Sequence, residues 1–194
     1  QSSNRQEMTK SCLAYFGVTG PEEWKHRYCD TVNDIAFRTS ESFLSKAGPL
    51  SAWVRRGEIE AATIRTAEWN RERLINSIPE LKKLTWRKDP TKFVAELRAV
   101  CAEAGIALVF VRPPSGCRAS GATRFVTPGR AILIQSFRYL SDDQFWFTFF
   151  HEIGHLVIHG KDSTFIETDE AAKSVREAEA NAFAANTLIP LTRA

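Results

Sequence analysis

The sequence lacks any long hydrophobic run, since none approaches the roughly 18 consecutive apolar residues that a membrane-spanning helix needs. It also lacks, near Gln1, the basic segment and apolar stretch of a secretory signal peptide. These absences argue against a membrane protein and favour a cytoplasmic one.

Cysteine is scarce and scattered. Cys12, Cys29, Cys101 and Cys117 stand singly, without a CxxC pair, so neither a disulfide framework nor a cysteine-based zinc site is indicated. We interpret the four as reduced thiols that pack as small hydrophobic side chains.

An excess of charge of one sign is also missing. The net charge is +3 and the pI is about 8.7, far from the dense basic loading that marks many nucleic-acid-binding proteins. The short basic clusters are Arg55-Arg56, Lys82-Lys83 and Arg87-Lys88. They favour solvated helical faces over direct contact with DNA.

The composition, 43% hydrophobic and 25% charged residues over 194 positions, is typical of a globular protein with one large core or two small ones.

The sequence predicts that residues 1–88 form a mainly helical region of undetermined role. Turn signals at Gly20-Pro21, Gly48-Pro49 and Pro79 are expected to divide it into short helices. From Asp89, a capping residue followed by Pro90, the sequence predicts a helix that ends at Gly105.

A β-rich region follows. Ile106–Val111, Thr123–Val126 and Ala131–Gln135 predict three short strands in a small, largely antiparallel sheet. The segment Ala131–Gln135 is either an ordinary core strand or an edge strand on which an extended substrate could pair.

The next segment predicts a buried central helix. Ser141 and Gln144 have the spacing of a capping box, and the helix is expected to run to about His159 before Gly160. It is apolar on nearly every side, so its few polar residues need a reason to be inside.

Those polar residues form the pattern His151-Glu152-Ile153-Gly154-His155. Histidines four residues apart project from one helical face and can bind a single zinc ion, and Glu152 is then placed to take a proton from the attacking water. The alternative is a pair of core histidines without a metal, but burying two imidazoles and a carboxylate together would be costly.

A catalytic zinc needs a third protein ligand. Glu177 on a final helix, at about residues 174–188, is the best candidate. Glu179, on the opposite face of the same helix, is an alternative. Acidic residues within 162–170 are a further alternative. Asn181, one turn after Glu177, is expected to hydrogen-bond a ligand histidine. His159 lies about 12 Å along the helix from His151, too far to share the ion, and is expected to cap the helix or line a pocket.

The residue that stabilises a developing oxyanion is not determined by spacing. Arg138, Tyr139 and His159 are the candidates in the sequence.

The two motifs in this order resemble the ImmA/IrrE family of zinc metallopeptidases, whose site is similar to that of thermolysin-like zincins. The resemblance is carried by Phe147-Thr-Phe-Phe-His-Glu-Ile-Gly-His-Leu-Val-Ile-His159 and by Glu177-Ala-Glu-Ala-Asn-Ala-Phe-Ala-Ala-Asn-Thr-Leu-Ile-Pro190. It implies an α+β fold, with a minimal zincin-like domain over 89–194 preceded by the helical region 1–88. It further implies one zinc per chain, with His151, His155 and Glu177 as ligands and Glu152 as catalytic base.

The resemblance also implies a function. Members of the family typically cleave a helix-turn-helix repressor that controls stress, phage or mobile-element genes. Residues 1–88 contain no convincing helix-turn-helix, so we expect any DNA-reading domain to lie upstream of Gln1. Relatives in operons similar to toxin–antitoxin pairs suggest the alternative that the fold serves as a binding module with little turnover. A purely structural or sensing zinc site is disfavoured, because it would not need Glu152.

Overall fold

The structure is a computed structural model that describes residues 2–29, 41–137, 141–160, 165–167 and 175–189. Its first part is helical, as predicted. The elements in order are α1 (Ser2–Phe16), α2 (Pro21–Trp24) with a π-helical turn (Lys25–Cys29), α3 (Glu41–Ala61) and α4 (Arg71–Leu84). No helix of the described residues is long and apolar enough to cross a membrane.

Two of the predicted turn signals are wrong. Gly20-Pro21 does start a helix, but Pro49 lies inside α3 and Pro79 lies inside α4. A proline inside a helix removes a backbone hydrogen bond. Burial outweighs that cost here, because both helices are anchored in the core by apolar residues around the proline: Leu50, Trp53 and Val54 in α3, and Leu74, Leu81 and Leu84 in α4.

Helix α5 (Pro90–Glu103) confirms its prediction closely. The side chain of Asp89 accepts a hydrogen bond from the backbone N–H of Thr91, and Pro90 takes the first helical position. Gly105 then turns the chain with a φ of +88°, packed against the backbone of Trp69, where a side chain would collide. The chain passes directly into the sheet.

The sheet has four strands in the order β1-β3-β2-β4. They are β1 (Ile106–Phe110), β2 (Gly121–Thr127), β3 (Arg130–Gln135) and β4 (Phe165–Glu167). β2 pairs antiparallel with both β3 and β4, whereas β1 runs parallel to β3. The largely antiparallel sheet is confirmed, and β4 was not predicted. The suggestion that Ala131–Gln135 is an edge strand is wrong, because β3 lies between β1 and β2.

Helices cover both faces of the sheet. Ala131 and Leu133 of β3 face a core shared with α4, α5 and the two helices that follow the sheet, whereas Ile132 and Ile134 face a second core built by α1 and α3. This alternation follows from the period of two along a strand. The division of the chain at residue 88 stays a prediction, but helices from both sides of it pack on the same sheet.

The last two helices are α6 (Asp142–Ile158) and α7 (Val175–Leu188). Most of α6 is buried, as its all-round apolar character predicted. The helices pack closely where α6 has Gly154, since an added Cβ there would lie 3.3 Å from both the Cα and the carbonyl oxygen of Ala180. The buried face of α7 consists of Glu177, Ala180 and Ala184, while Val175 at its start is 75% exposed.

An ionic cluster ties α3 to β2. The Glu58 carboxylate lies 2.7 Å from Arg124 and 3.0 Å from Arg55, accepts a hydrogen bond from Tyr28 at 3.1 Å, and has Arg27 at 3.6 Å. Burial and the neighbouring Glu58 charge raise the pKa of Tyr28 to about 12, so its hydroxyl stays a donor. Because Arg55 points into this cluster, it does not belong to a solvated basic face, contrary to expectation.

The cysteines among the described residues are free thiols. Only one of them is buried, as the predicted packing of a small hydrophobic side chain requires. Cys101 is buried, and burial raises the pKa of its thiol to about 12. Cys117 is half-buried, and Cys12 is exposed.

Candidate metal centre

Two histidines of α6 point at the same space. His151 and His155 are one helical turn apart, and both are almost completely buried, at 1% and 0% exposure. Their Nε2 atoms lie only 2.9 Å from each other. The helical spacing thus produces the convergence that the sequence predicted.

A carboxylate from α7 completes the group. Glu177, 3% exposed, has one oxygen 3.1 Å from His151 Nε2 and the other 3.3 Å from His155 Nε2. Glu179, the competing candidate, is exposed on the other side of α7. The side chains of the 162–170 segment lie outside the described residues.

These three residues fit a zinc ion. Two histidines and one glutamate are a known donor set for catalytic zinc, and tetrahedral ligands at about 2.0–2.1 Å from the ion would lie about 3.3 Å apart. The atoms observed are separated by 2.9 to 3.3 Å. Two ring nitrogens this close need a proton or a cation between them. Burial lowers the pKa of His155, against the opposing effect of Glu177, and so favours the neutral imidazole that a metal ligand requires.

The charge state of Glu177 suits a metal ligand. Burial by itself would raise the pKa of this carboxyl, but hydrogen bonds with His151 and His155 dominate and lower the pKa to about 2. Glu177 is therefore an anion at neutral pH, held beside the imidazoles of His151 and His155.

Asn181 orients the first histidine. Its Oδ1 lies 2.9 Å from His151 Nδ1, on the side of the ring away from Glu177. When Nδ1–H donates to this oxygen, Nε2 carries the lone pair that a metal requires. The structure therefore gives Asn181 the contact that the sequence predicted.

Glu152 lies beside the first histidine and packs against the sheet. It is fully buried, and its carboxylate fits against the backbone of Gly121 at the start of β2. A Cβ at Gly121 would lie 2.8 Å from the carboxyl carbon of Glu152, so only glycine leaves room for the carboxylate. No local sequence pattern predicts this contact, because it joins a strand residue and a helix residue that are distant along the chain.

His159 stays outside the group of three. Its backbone N–H caps α6 by donating to the carbonyl of His155, and its ring lies 5.4 Å from the ring of His155. Its Nε2 is 3.3 Å from the carbonyl oxygen of Arg176 and 3.8 Å from Glu179. The predicted capping role is thus seen in the backbone. Arg138 and Tyr139, the other candidates for oxyanion stabilisation, lie outside the described residues.

Among the described residues, His151, His155 and Glu177 are a group of histidine, cysteine or acidic side chains close enough to hold a metal ion. With Glu152 adjacent, the arrangement supplies ligands for one divalent cation and a carboxylate able to accept a proton. This combination suits hydrolysis of a carbonyl compound better than structural metal binding.

Comparison with known proteins agrees with this chemistry. Residues 104–194 match the family model described as the IrrE N-terminal-like domain, Peptidase_M78. The match starts before β1 and includes both site helices. No curated protein and no solved structure matches the chain.

Proposed function

We propose that this chain, whose residues 104–194 match the IrrE N-terminal-like family model, is a zinc-dependent endopeptidase that cleaves a regulatory protein. The observation that carries the proposal is the convergence of His151, His155 and Glu177 beside the buried Glu152. A helix-turn-helix repressor is the proposed substrate, and this finer point depends on the family resemblance.

The reaction would use four side chains. His151, His155 and Glu177 would hold the zinc, which when bound polarises the scissile carbonyl and lowers the pKa of water at the site to about 7. Glu152 would accept the proton of the attacking water and pass it to the leaving amine. Asn181 would keep the ring of His151 in the ligating tautomer.

The burial of the site favours a second candidate function. His151, Glu152, His155 and Glu177 are each no more than 3% exposed, so contact between a substrate and these side chains would need some movement of their neighbours. A domain that binds a partner and turns over little, as in an antitoxin-like subunit, would have no need of such movement.

Co-expression with the neighbouring repressor distinguishes the two functions. Wild type should cleave the repressor, whereas Glu152→Gln should leave it intact while still containing about one zinc per chain. Equal processing by both, or by neither despite stable association, would favour the binding module.

A matched pair of variants tests the ligand set. Glu177→Ala should lose zinc in metal analysis of the purified protein, whereas Glu179→Ala, on the exposed side of the same helix, should retain it. Equal zinc content in the two variants would contradict the assignment of Glu177.

A further inference from the structure

An arginine outside the residues that match the family model contacts the helix that carries both histidines. Arg71 is the first residue of α4, and its Nε–H donates a hydrogen bond of 2.6 Å to the carbonyl oxygen of Val157, in the last turn of α6. Val157 lies two residues after His155 and is 7% exposed. The bond thus joins the N-terminal helical region to the end of α6.

The carbonyl group that Arg71 binds lies where a helix cannot supply its own donor. α6 ends at Ile158, and the carbonyl groups of the final turn of a helix lack partners within the helix. That of His155 accepts from the backbone N–H of His159. That of Val157 receives its donor from the guanidinium, whose positive charge also complements the negative end of the α6 dipole.

The start of α4 is a fixed base for this contact. The segment before the helix is hydrogen-bonded through its backbone to the end of α5 and to the turn between β2 and β3. The N–H groups of Ala67, Trp69 and Asn70 donate to the carbonyls of Ala102, Gly129 and Ala104, respectively, at 2.7 to 3.1 Å. The side chain of Asn70 also caps α4 by accepting from the N–H of Arg73. Arg71 therefore ties the last turn of α6 to the sheet and to α5.

This tie bears on the position of His155. Its Nε2 lies 2.9 Å from His151 Nε2 and 3.3 Å from Glu177, and it belongs to the same helical turn as Val157. Ligand distances around a bound zinc ion hold to within about 0.2 Å, so a small displacement of this turn would impair coordination. His151, one turn earlier, has its hydrogen bond with Asn181 to orient it.

We propose that Arg71 is a positioning residue for the metal-binding group. By fixing the last turn of α6 to the start of α4, it sets where the His155 ring stands relative to His151 and Glu177. The proposal rests on the proposed function, in which these three side chains hold zinc. It gives the helical region, which lies outside the match to the family model, a direct part in forming the site.

Zinc affinity, measured by competition with a chelator, tests the proposal. Arg71→Ala should lower it by about 10-fold, the lower end of the effects seen when hydrogen bonds that support metal ligands are removed. Arg71→Lys keeps a charged donor at the same place and should restore most of the affinity.

Arg73→Ala is the matched control. Arg73 lies in the same first turn of α4, and its Nη1 donates at 2.9 Å to the carbonyl oxygen of Glu103, at the end of α5. It therefore makes the same kind of bond to a helix that carries no ligand. Arg73→Ala should bind zinc as wild type does, and urea unfolding of both alanine variants measures how much general stability each has lost.

A second measurement needs no zinc. In metal-free protein with isotope-labelled histidine, the NMR resonances of the His155 ring should shift or broaden in Arg71→Ala, and those of His26 should not. Arg73→Ala should leave both sets unchanged. Hydrogen exchange of the His159 amide, which bonds to the carbonyl of His155, should become about 10-fold faster in Arg71→Ala alone, as expected for the loss of one charge-assisted hydrogen bond.

Two results would overturn the proposal: equal zinc affinity in wild type and Arg71→Ala, or equal losses of affinity in Arg71→Ala and Arg73→Ala. In the first case the bond to Val157 does not position His155, and in the second it contributes only general stability. The proposed function fails separately. If wild type binds no zinc, the metallopeptidase assignment falls, and the His155 resonances alone decide whether Arg71 positions the ring.

Discussion

The contact between Gly121 and Glu152 sets the position of the proposed base. In Gly121→Ala, the new Cβ would collide with the carboxylate, which must then turn away from the metal-binding group. General acid–base catalysis contributes typically about 100- to 10,000-fold. We therefore expect peptide cleavage to fall by about 100-fold or more in kcat/KM, with zinc content unchanged.

Gly129→Ala is the matched control for this variant. An added Cβ there would meet the flexible side chain of Glu68 at 3.1 Å or more, and no site residue. Its activity should equal that of wild type. Full activity in Gly121→Ala would mean that Glu152 does not act from its observed position.

The hydrogen bond from Asn181 to His151 makes a second prediction for a single residue. Without it, the ring can adopt the tautomer or orientation that does not bind zinc. Asn181→Ala should lower zinc affinity by about 10- to 100-fold, measured by competition with a chelator, because residues that hydrogen-bond ligating histidines have effects of this size.

Asn181→Asp keeps an oxygen acceptor at the same place and should restore most of the affinity. Equal affinities in wild type and Asn181→Ala would show that packing alone orients His151.

At the scale of the elements, the buried ion pairs of Glu58 link helix α3 to strand β2 of the sheet. Glu58 is 8% exposed and is shared by arginines of α3, β2 and the π-helical turn. Removing one partner of a buried ion pair costs about 3 to 5 kcal/mol, since the remaining charge is left uncompensated. Glu58→Ala should lower the free energy of unfolding in urea by roughly 3 kcal/mol.

Glu60→Ala provides the comparison on the same helix. Glu60 pairs with Arg56, whose side chain is 57% exposed, and exposed pairs contribute about 0 to 1 kcal/mol. Similar losses in the two variants would show that the Glu58 cluster does not act as a buried network.

The elements that the sequence predicted well are those whose signals are local. Asp89 with Pro90 marks the start of α5, and the four-residue spacing of His151 and His155 brings their rings together on α6. Helical geometry likewise implied that only one of Glu177 and Glu179 could face the histidines, because the two lie on opposite sides of α7.

Features that depend on contacts between residues distant in sequence could not be predicted from local sequence patterns. β1 and β2 are consecutive in sequence but do not pair, and β3 lies between them in the sheet. The contact of Gly121 with Glu152, and the helices that continue through Pro49 and Pro79, depend on neighbours distant in sequence. A local turn signal cannot report the burial that overrides it.

At the scale of the whole molecule, the site helix packs on one face of the sheet and α3 covers the other. A fragment of residues 89–194 would contain the metal-binding residues, but it would expose the face of the sheet formed by Ala107, Val109, Ile132 and Ile134. It would also lose α4, whose Leu74, Leu81 and Leu84 belong to the core on the site's own face.

We therefore expect residues 89–194 alone to be poorly soluble or loosely packed, with strong binding of a hydrophobic dye and no cooperative thermal transition. Residues 41–194, which retain α3 and α4, should unfold cooperatively. A cooperative transition in the shorter fragment would show that residues 89–194 form an independent domain.

The depth of the three ligands also has a kinetic consequence. With His151, His155 and Glu177 each at most 3% exposed, an ion held among them would leave slowly, at a rate set by the opening of α6 and α7. Residence time, more than equilibrium affinity, would then govern metal content. The ion found in purified protein would be the one captured while the chain folded, and later exchange would proceed no faster than the two helices open.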